Sequence, residues 1–106
     1  MGADYYRADS EDGDRIDDPS EDGLFMMISD LDDSGNTFLT VRPDVPAPHW
    51  SATVTLVGTV GGNGYEVVRR DSARNEHEVT VSSDIDGIAR ELTIWMAARD
   101  RPAPAG

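Results

Sequence analysis

Residues 50 to 57 read Trp-Ser-Ala-Thr-Val-Thr-Leu-Val, so that Trp50, Ala52, Val54 and Leu56 alternate with Ser51, Thr53 and Thr55. Successive side chains of an extended chain point to opposite faces, and this period of two marks a strand with one buried side. The pattern continues downstream. Gly61-Gly62-Asn63-Gly64 supplies residues that tolerate positive φ in a hairpin loop. After it Tyr65, Val67 and Arg69 alternate with Glu66, Val68 and Arg70. A second turn around Ser72 to Asn75 leads into Glu76 to Ser82, where His77, Val79 and Val81 share a face. Three such strands joined by short turns make an antiparallel meander.

Upstream of Trp50, Pro43, Pro46 and Pro48 predict a rigid, extended connection, and Thr37 to Arg42 read as another strand. Before that, Asp18-Pro19-Ser20-Glu21 has the form of a helix start: Asp18 as the cap, Pro19 at the first helical position and Glu21 closing a capping box. Leu24, Met27, Ile28 and Leu31 then follow the i, i+3, i+4, i+7 spacing of one buried helix face, with Phe25 beside it. The helix is expected to end near Asp33, with Gly35 stopping it. At the other end of the chain, Ser83 is the expected cap and Asp86 its reciprocating partner. Ile85, Ile88, Ala89, Leu92, Trp95 and Met96 form the apolar stripe of a second helix, and Arg99 falls near its negative end.

Residues 1–17 admit two readings: a frayed terminus, or a short first strand in which Tyr5 to Ala8 fold back on Arg15 to Asp17 about an Asp12-Gly13 turn. Residues 101–106, rich in proline and alanine, read as a disordered tail. The expected fold is a single α+β domain over residues 1–100: a four- or five-stranded antiparallel sheet with two helices packed on one face, in the order (β)αββββα. The length of 106 residues suits one core and not two.

Composition narrows the function classes. The chain has no cysteine, which excludes a disulfide framework, a thiolate metal site and a catalytic thiol. No basic segment followed by an apolar run opens it, so the expectation is a soluble, cytoplasmic protein. All nine basic residues are arginine, a usage that suits a GC-rich bacterial genome. The formal charge of −12 is uneven. Twelve acids fall within residues 1–35, from Asp4 to Asp33, against Arg7 and Arg15 alone, a net −10 for the first third. Such a field repels nucleic acid and anionic lipid and speeds encounter with a basic partner, although acidic surfaces also serve solubility alone.

Several arrangements resemble chemical motifs and fail on inspection. Asp30-Leu31-Asp32-Asp33-Ser34-Gly35 matches the first half of a calcium loop, but loop position 12 is Val41, where a bidentate carboxylate is needed. His49 and His77 have no second nitrogen or sulfur donor at ligand spacing, and neither sits in a nucleophile motif with Ser51 or Thr80. Gly61-Gly62-Asn63-Gly64 lacks the lysine of a phosphate loop and leads into a strand. Arg69 and Arg70 lie on opposite faces of one strand and are expected to pair with Glu66, Glu76 or Glu78 rather than to act as one claw. No catalytic residue, metal or cofactor is expected.

In layout, Asp18-Pro19-Ser20 with its helix, Asn36 to Val41, a strand opening at Trp50, Gly64-Tyr65-Glu66-Val67 and the terminal Ile88 to Trp95 resemble a family of small acidic actinobacterial proteins of unassigned function. The same order of elements is similar to immunity proteins of the Imm1 type. That resemblance implies a non-enzymatic inhibitor whose partner is a basic toxin domain. The residues expected to meet the partner are Asp9, Glu11, Asp12, Asp14, Asp17, Asp18, Glu21 and Asp22. The alternative expectation is a small regulatory or accessory protein that assembles through a sheet edge or as a homodimer.

Overall fold

The computed structural model describes residues 6–17, 19–32, 34–43, 50–59 and 62–100. Asp18, Asp33, the proline-rich connection with His49, and the tail 101–106 lie outside the described residues. The elements are β1 (Tyr6–Ser10), β2 (Arg15–Asp17), α1 (Glu21–Ser29), β3 (Phe38–Pro43), β4 (Trp50–Thr59), β5 (Gly62–Asp71), β6 (Glu76–Ser82) and α2 (Ile85–Asp100). All strands pair antiparallel in one six-stranded sheet of order β2-β1-β3-β4-β5-β6. The sheet therefore has more strands than the four or five expected, because residues 6–17 form a complete hairpin and not a single strand or a frayed end.

That hairpin forms despite its charge because two contributions favour it. Its three-residue loop, Glu11 to Gly13, is closed by the Ser10 amide donating to the Asp14 carbonyl at 2.9 Å, and Gly13 adopts a φ of 99°, which L side chains resist. Its inward residues also reach the core: Ala8 is fully buried opposite Ile16, which packs against the same cluster.

The register of β3 to β6 follows from alternation. Leu39 and Val41 on β3, Trp50, Ala52 and Val54 on β4, and Tyr65 and Val67 on β5 point inward. They meet Leu24, Met27 and Ile28 of α1 and Ile88, Ala89, Leu92 and Met96 of α2 in one hydrophobic cluster. Each large side chain taken fully out of water contributes roughly 1.5–3 kcal/mol. Trp50 meets Trp95 of α2 edge to face, with ring centroids 5.5 Å apart, tying the middle of the sheet to the second helix. Off the stripe, Ile94 is 63% exposed.

Four local expectations shift by a few residues. The cap of α1 is Ser20, whose Oγ accepts from the Gly23 amide at 3.1 Å, so Pro19 precedes the helix instead of opening it. Pro19 and Leu24 are both buried, at the two positions of a hydrophobic staple. The same helix ends at Ser29 and not near Asp33, because Asn36 Nδ2 donates to the Asp30 carbonyl at 3.0 Å and holds the chain in an immediate turn. Gly35, with φ 120°, belongs to that turn. In α2, the Ile88 amide donates to the Asp84 carbonyl at 2.9 Å, which makes Asp84 the cap in place of Ser83. Finally, Gly62, Asn63 and Gly64 are strand: Thr59 pairs with Gly62, so β5 begins inside the glycine run that was expected to form the loop.

These placements give two stability expectations, both measurable by urea denaturation. Ser20→Ala lowers stability by about 1 kcal/mol, whereas Ser83→Ala changes it by less than about 0.5 kcal/mol. Leu92→Ala costs about 2–5 kcal/mol, whereas Ile94→Ala, on the exposed side of the same helix, falls within about 0.5 kcal/mol of the parent.

Candidate binding surface

Both helices pack on one face, and among the described residues no element covers the other face of the sheet. At its β1–β2 end this outer face carries a checkerboard of charge. Arg7 lies opposite Asp17 and Asp9 opposite Arg15. Along the strands, Arg7 Nε donates to Asp9 at 3.0 Å and Arg15 Nε lies 3.4 Å from Asp17. Of the eight acids expected to meet a partner, Asp9 and Asp17 are thus neutralised by the only two arginines of the first third.

Glu11 and Asp12 serve the fold. The Thr37 amide and hydroxyl both donate to Glu11 Oε1, at 2.8 and 2.7 Å, and clamp the hairpin loop to the start of β3. The Ser10 hydroxyl and the Asp14 amide donate to Asp12 Oδ1 and shape the loop itself. Bonds of this kind favour the ionised form. The Glu11 carboxyl is accordingly held below its ordinary 4.5, chiefly by the Thr37 hydroxyl and then by the Thr37 amide, while Asp12 and Asp32 nearby push the other way. Asp12 is held below its ordinary 3.8, first by the Ser10 hydroxyl and then by the Asp14 amide.

Asp14, Glu21 and Asp22 are exposed and, among the described residues, form no ion pair. They do not make one patch. Glu21 and Asp22 occupy the first turn of α1, where they complement the positive helix end. Asp14 belongs to the hairpin loop, at the opposite end of the short β2. Asp18, also expected to face the partner, lies outside the described residues.

The structure adds two acids that had been expected in the last turn of the first helix, which was to end near Asp33. The nine-residue α1 carries the chain back about 13 Å, so Asp32 arrives within electrostatic reach of Glu11 in the hairpin loop, with Asp30 two residues before it at the helix C-cap. Asp30 caps the C-terminal end of α1, whose last turn contains no basic residue. Asp32 shapes the following turn by accepting from the Ser34 amide at 2.8 Å and from its hydroxyl at 3.0 Å. Both are exposed. The result is an acidic tip: Glu11, Asp12 and Asp14 of the hairpin loop with Asp32 beside them, next along the chain to Asp30 at the negative end of a helix dipole. Only the hairpin pairing and the short helix bring the two loops together, which is why the list of residues 9–22 did not contain it.

A second surface also depends on register. Arg7 lies opposite Arg42, Ser51 opposite Arg70, and Arg70 opposite His77. Arg42 follows Val41, the partner of Ala52, so Arg42 and Ser51 are neighbours in the same row. Arg42, Ser51, Arg70 and His77 line a shallow groove of about 490 Å³. His77 and Ser51 share this groove, but among the described residues neither side chain takes part in a hydrogen bond, so they do not form a base and nucleophile pair. Arg69 points to the other face and pairs with Glu78, one of the three partners expected for it. Asp71 is buried and holds the β5–β6 turn by accepting from the Ala73 and Arg74 amides at 3.0 and 3.2 Å. Among the described residues no three His, Asp or Glu side chains are grouped to hold a metal, and no helix is long and apolar enough to cross a membrane. Comparison with family models, curated proteins and solved structures finds no match to the chain.

The Glu11 clamp predicts a pH dependence with a definite sign. A carboxyl whose pKa is lowered by folding stabilises the fold above its ordinary value, and that contribution is lost as pH falls through the lowered one. Thermal stability is therefore expected to fall below about pH 4.5 in part through Glu11. Glu11→Gln flattens this limb, and the Thr37 amide then exchanges hydrogen faster than in the parent.

Proposed function

We propose that this chain is a non-enzymatic binding protein that presents its acidic tip to a basic partner protein, in the manner of an immunity or antitoxin-like inhibitor. One observation supports the reading above the others: Glu11, Asp12 and Asp14 of the hairpin loop meet Asp32 just past Asp30, the C-cap of a helix that already ends in negative potential and has no basic residue in its last turn. Selection for stability alone places cations there. A partner rich in lysine or arginine supplies the missing charge on binding, and a toxin domain that acts on nucleic acid is basic for reasons of its own substrate. Of the remaining expected residues, Glu21 and Asp22 contribute to the long-range field that steers encounter, whereas Asp9 and Asp17 are offset by Arg7 and Arg15.

The test is capture of a partner from the native host, followed by kinetics at rising ionic strength. Because surface charge acts mainly on encounter, the association rate falls steeply with salt while dissociation changes little. Asp14→Asn, Asp30→Asn and Asp32→Asn together slow association by about tenfold or more, and each asparagine preserves the local turn geometry. Glu21→Gln with Asp22→Asn has a smaller effect. A captured partner whose binding is indifferent to the three tip substitutions sinks the proposal.

A further inference from the structure

The two edges of the sheet are managed differently. β2 is three residues long, Arg15-Ile16-Asp17, and both of its outward side chains are charged. Short length and charge are the usual protections of an edge whose backbone groups would otherwise template another strand. β6 has seven residues, Glu76 to Ser82, of which all but Ser82 are exposed. Its first half carries Glu76 and Glu78, but Val79-Thr80-Val81-Ser82 is an uncharged run with Val79 50% and Val81 61% exposed. No proline or charge interrupts this second half.

We propose that β6 pairs with β6 of a second copy of this chain about a two-fold axis at Val79, extending the sheet across the dimer. The sequence of the strand selects that register. With Val79 opposite Val79, Glu78 meets Thr80, His77 meets Val81 and Glu76 meets Ser82, so all seven residues pair and no acid faces an acid. A two-fold axis at Glu78 places Glu78 against itself, and one at His77 places Glu76 against Glu78; like charges directly opposite destabilise a ladder. The outer face of the junction becomes a continuous apolar stripe of Val79, Val81 and their copies beside Val68, the β5 neighbour of Val79.

The charge distribution permits what the net charge of −12 opposes. The acidic first third forms β1, β2 and α1, and the order β2-β1-β3-β4-β5-β6 puts it at the far edge. Five strand spacings, about 24 Å, separate β2 from β6, against a screening length of about 10 Å at 0.1 M salt. Near the junction, residues 62–82 hold four acids (Glu66, Asp71, Glu76, Glu78) and three arginines (Arg69, Arg70, Arg74). Pairing therefore brings nearly neutral edges together, holds the two acidic edges about 50 Å apart and leaves both tips free.

A strand-to-strand contact is small, so the expected dissociation constant lies in the micromolar to millimolar range. Sedimentation equilibrium on the full chain is expected to show a mass rising from 11.5 kDa toward twice that with concentration. Association tightens as salt rises, opposite to the salt response of the acidic tip. Val79→Lys weakens association at least about tenfold, by setting like charges opposite each other, with an unchanged circular dichroism spectrum. The chain has no cysteine, so single substitutions report register directly. Under mild oxidation Val79→Cys is captured as a disulfide dimer, since residues opposite each other lie within disulfide reach. Val81→Cys is not, because the two copies of residue 81 are about 13 Å apart along the strand. A monomer at every concentration and salt, equal cross-linking of the two cysteine variants, or unaltered association of Val79→Lys overturns the proposal. The triple Asp→Asn tip variant retains the dimer, which separates failure of this interface from failure of the partner site.

Discussion

Two helices of nine and sixteen residues cover one face of a six-stranded sheet, and no described helix or strand covers the other. This one-sided core is the constraint on which the other features rest. It demands apolar residues at the inward positions that meet the helices, and Leu39, Val41, Trp50, Ala52, Val54, Tyr65 and Val67 meet the demand. A slip of one residue in any of these strands would turn that set to solvent and bury Thr40, Thr53 or Glu66 instead, so the register is strongly specified. The edge-to-face contact of Trp50 with Trp95 then holds the longer helix over the middle strands.

The same constraint sorts the charged residues. Positions excluded from the core alternate onto the outer face, which collects the Arg7, Asp9, Arg15 and Asp17 checkerboard at one end and the Arg42, Ser51, Arg70 and His77 row toward the other. Neither grouping follows from net charge. An acidic chain acquires an arginine-bearing groove because four strands place one polar position each in the same row. Strand order then acts on a larger scale, by carrying the acidic first third to the edge opposite β6. Charge that is merely uneven along the sequence becomes polarised across the molecule.

The legible part of the fold was the part encoded in short periods. The alternation from Trp50 to Leu56, the stripes of α1 and α2 and the Asp12-Gly13 turn all depend on neighbours within four residues; the first two appear as expected, and the turn forms where two readings had stood open. Helix ends were displaced because more than one residue could cap. Ser20 and Asp84 won over Asp18 and Ser83, and the exit of α1 was decided by Asn36, six residues beyond the carbonyl it binds. The acidic tip was half legible: Glu11, Asp12 and Asp14 stood out, whereas Asp30 and Asp32 looked like a failed metal loop until the hairpin was placed beside Asp32. Face was legible on β6, and its direction was not. His77, Val79 and Val81 do share a side, yet it is the outer one, since their partners Arg70, Val68 and Glu66 are the outward residues of β5.

By itself, then, the amino-acid sequence determined the element types, the α+β class, the apolar faces of both helices and the concentration of acid in the first third. Those properties arise from local periodicity and composition, and any compact fold of the chain has to respect them. Tertiary structure alone decided that residues 6–17 complete a six-stranded sheet, that Asp32 comes beside the hairpin loop, that the arginines of the outer face line up, and that β6 is left as a long bare edge. Each of these depends on which strands lie side by side and in what register. Those choices minimise exposed apolar area over the whole chain at once, and no window of neighbouring residues contains that sum.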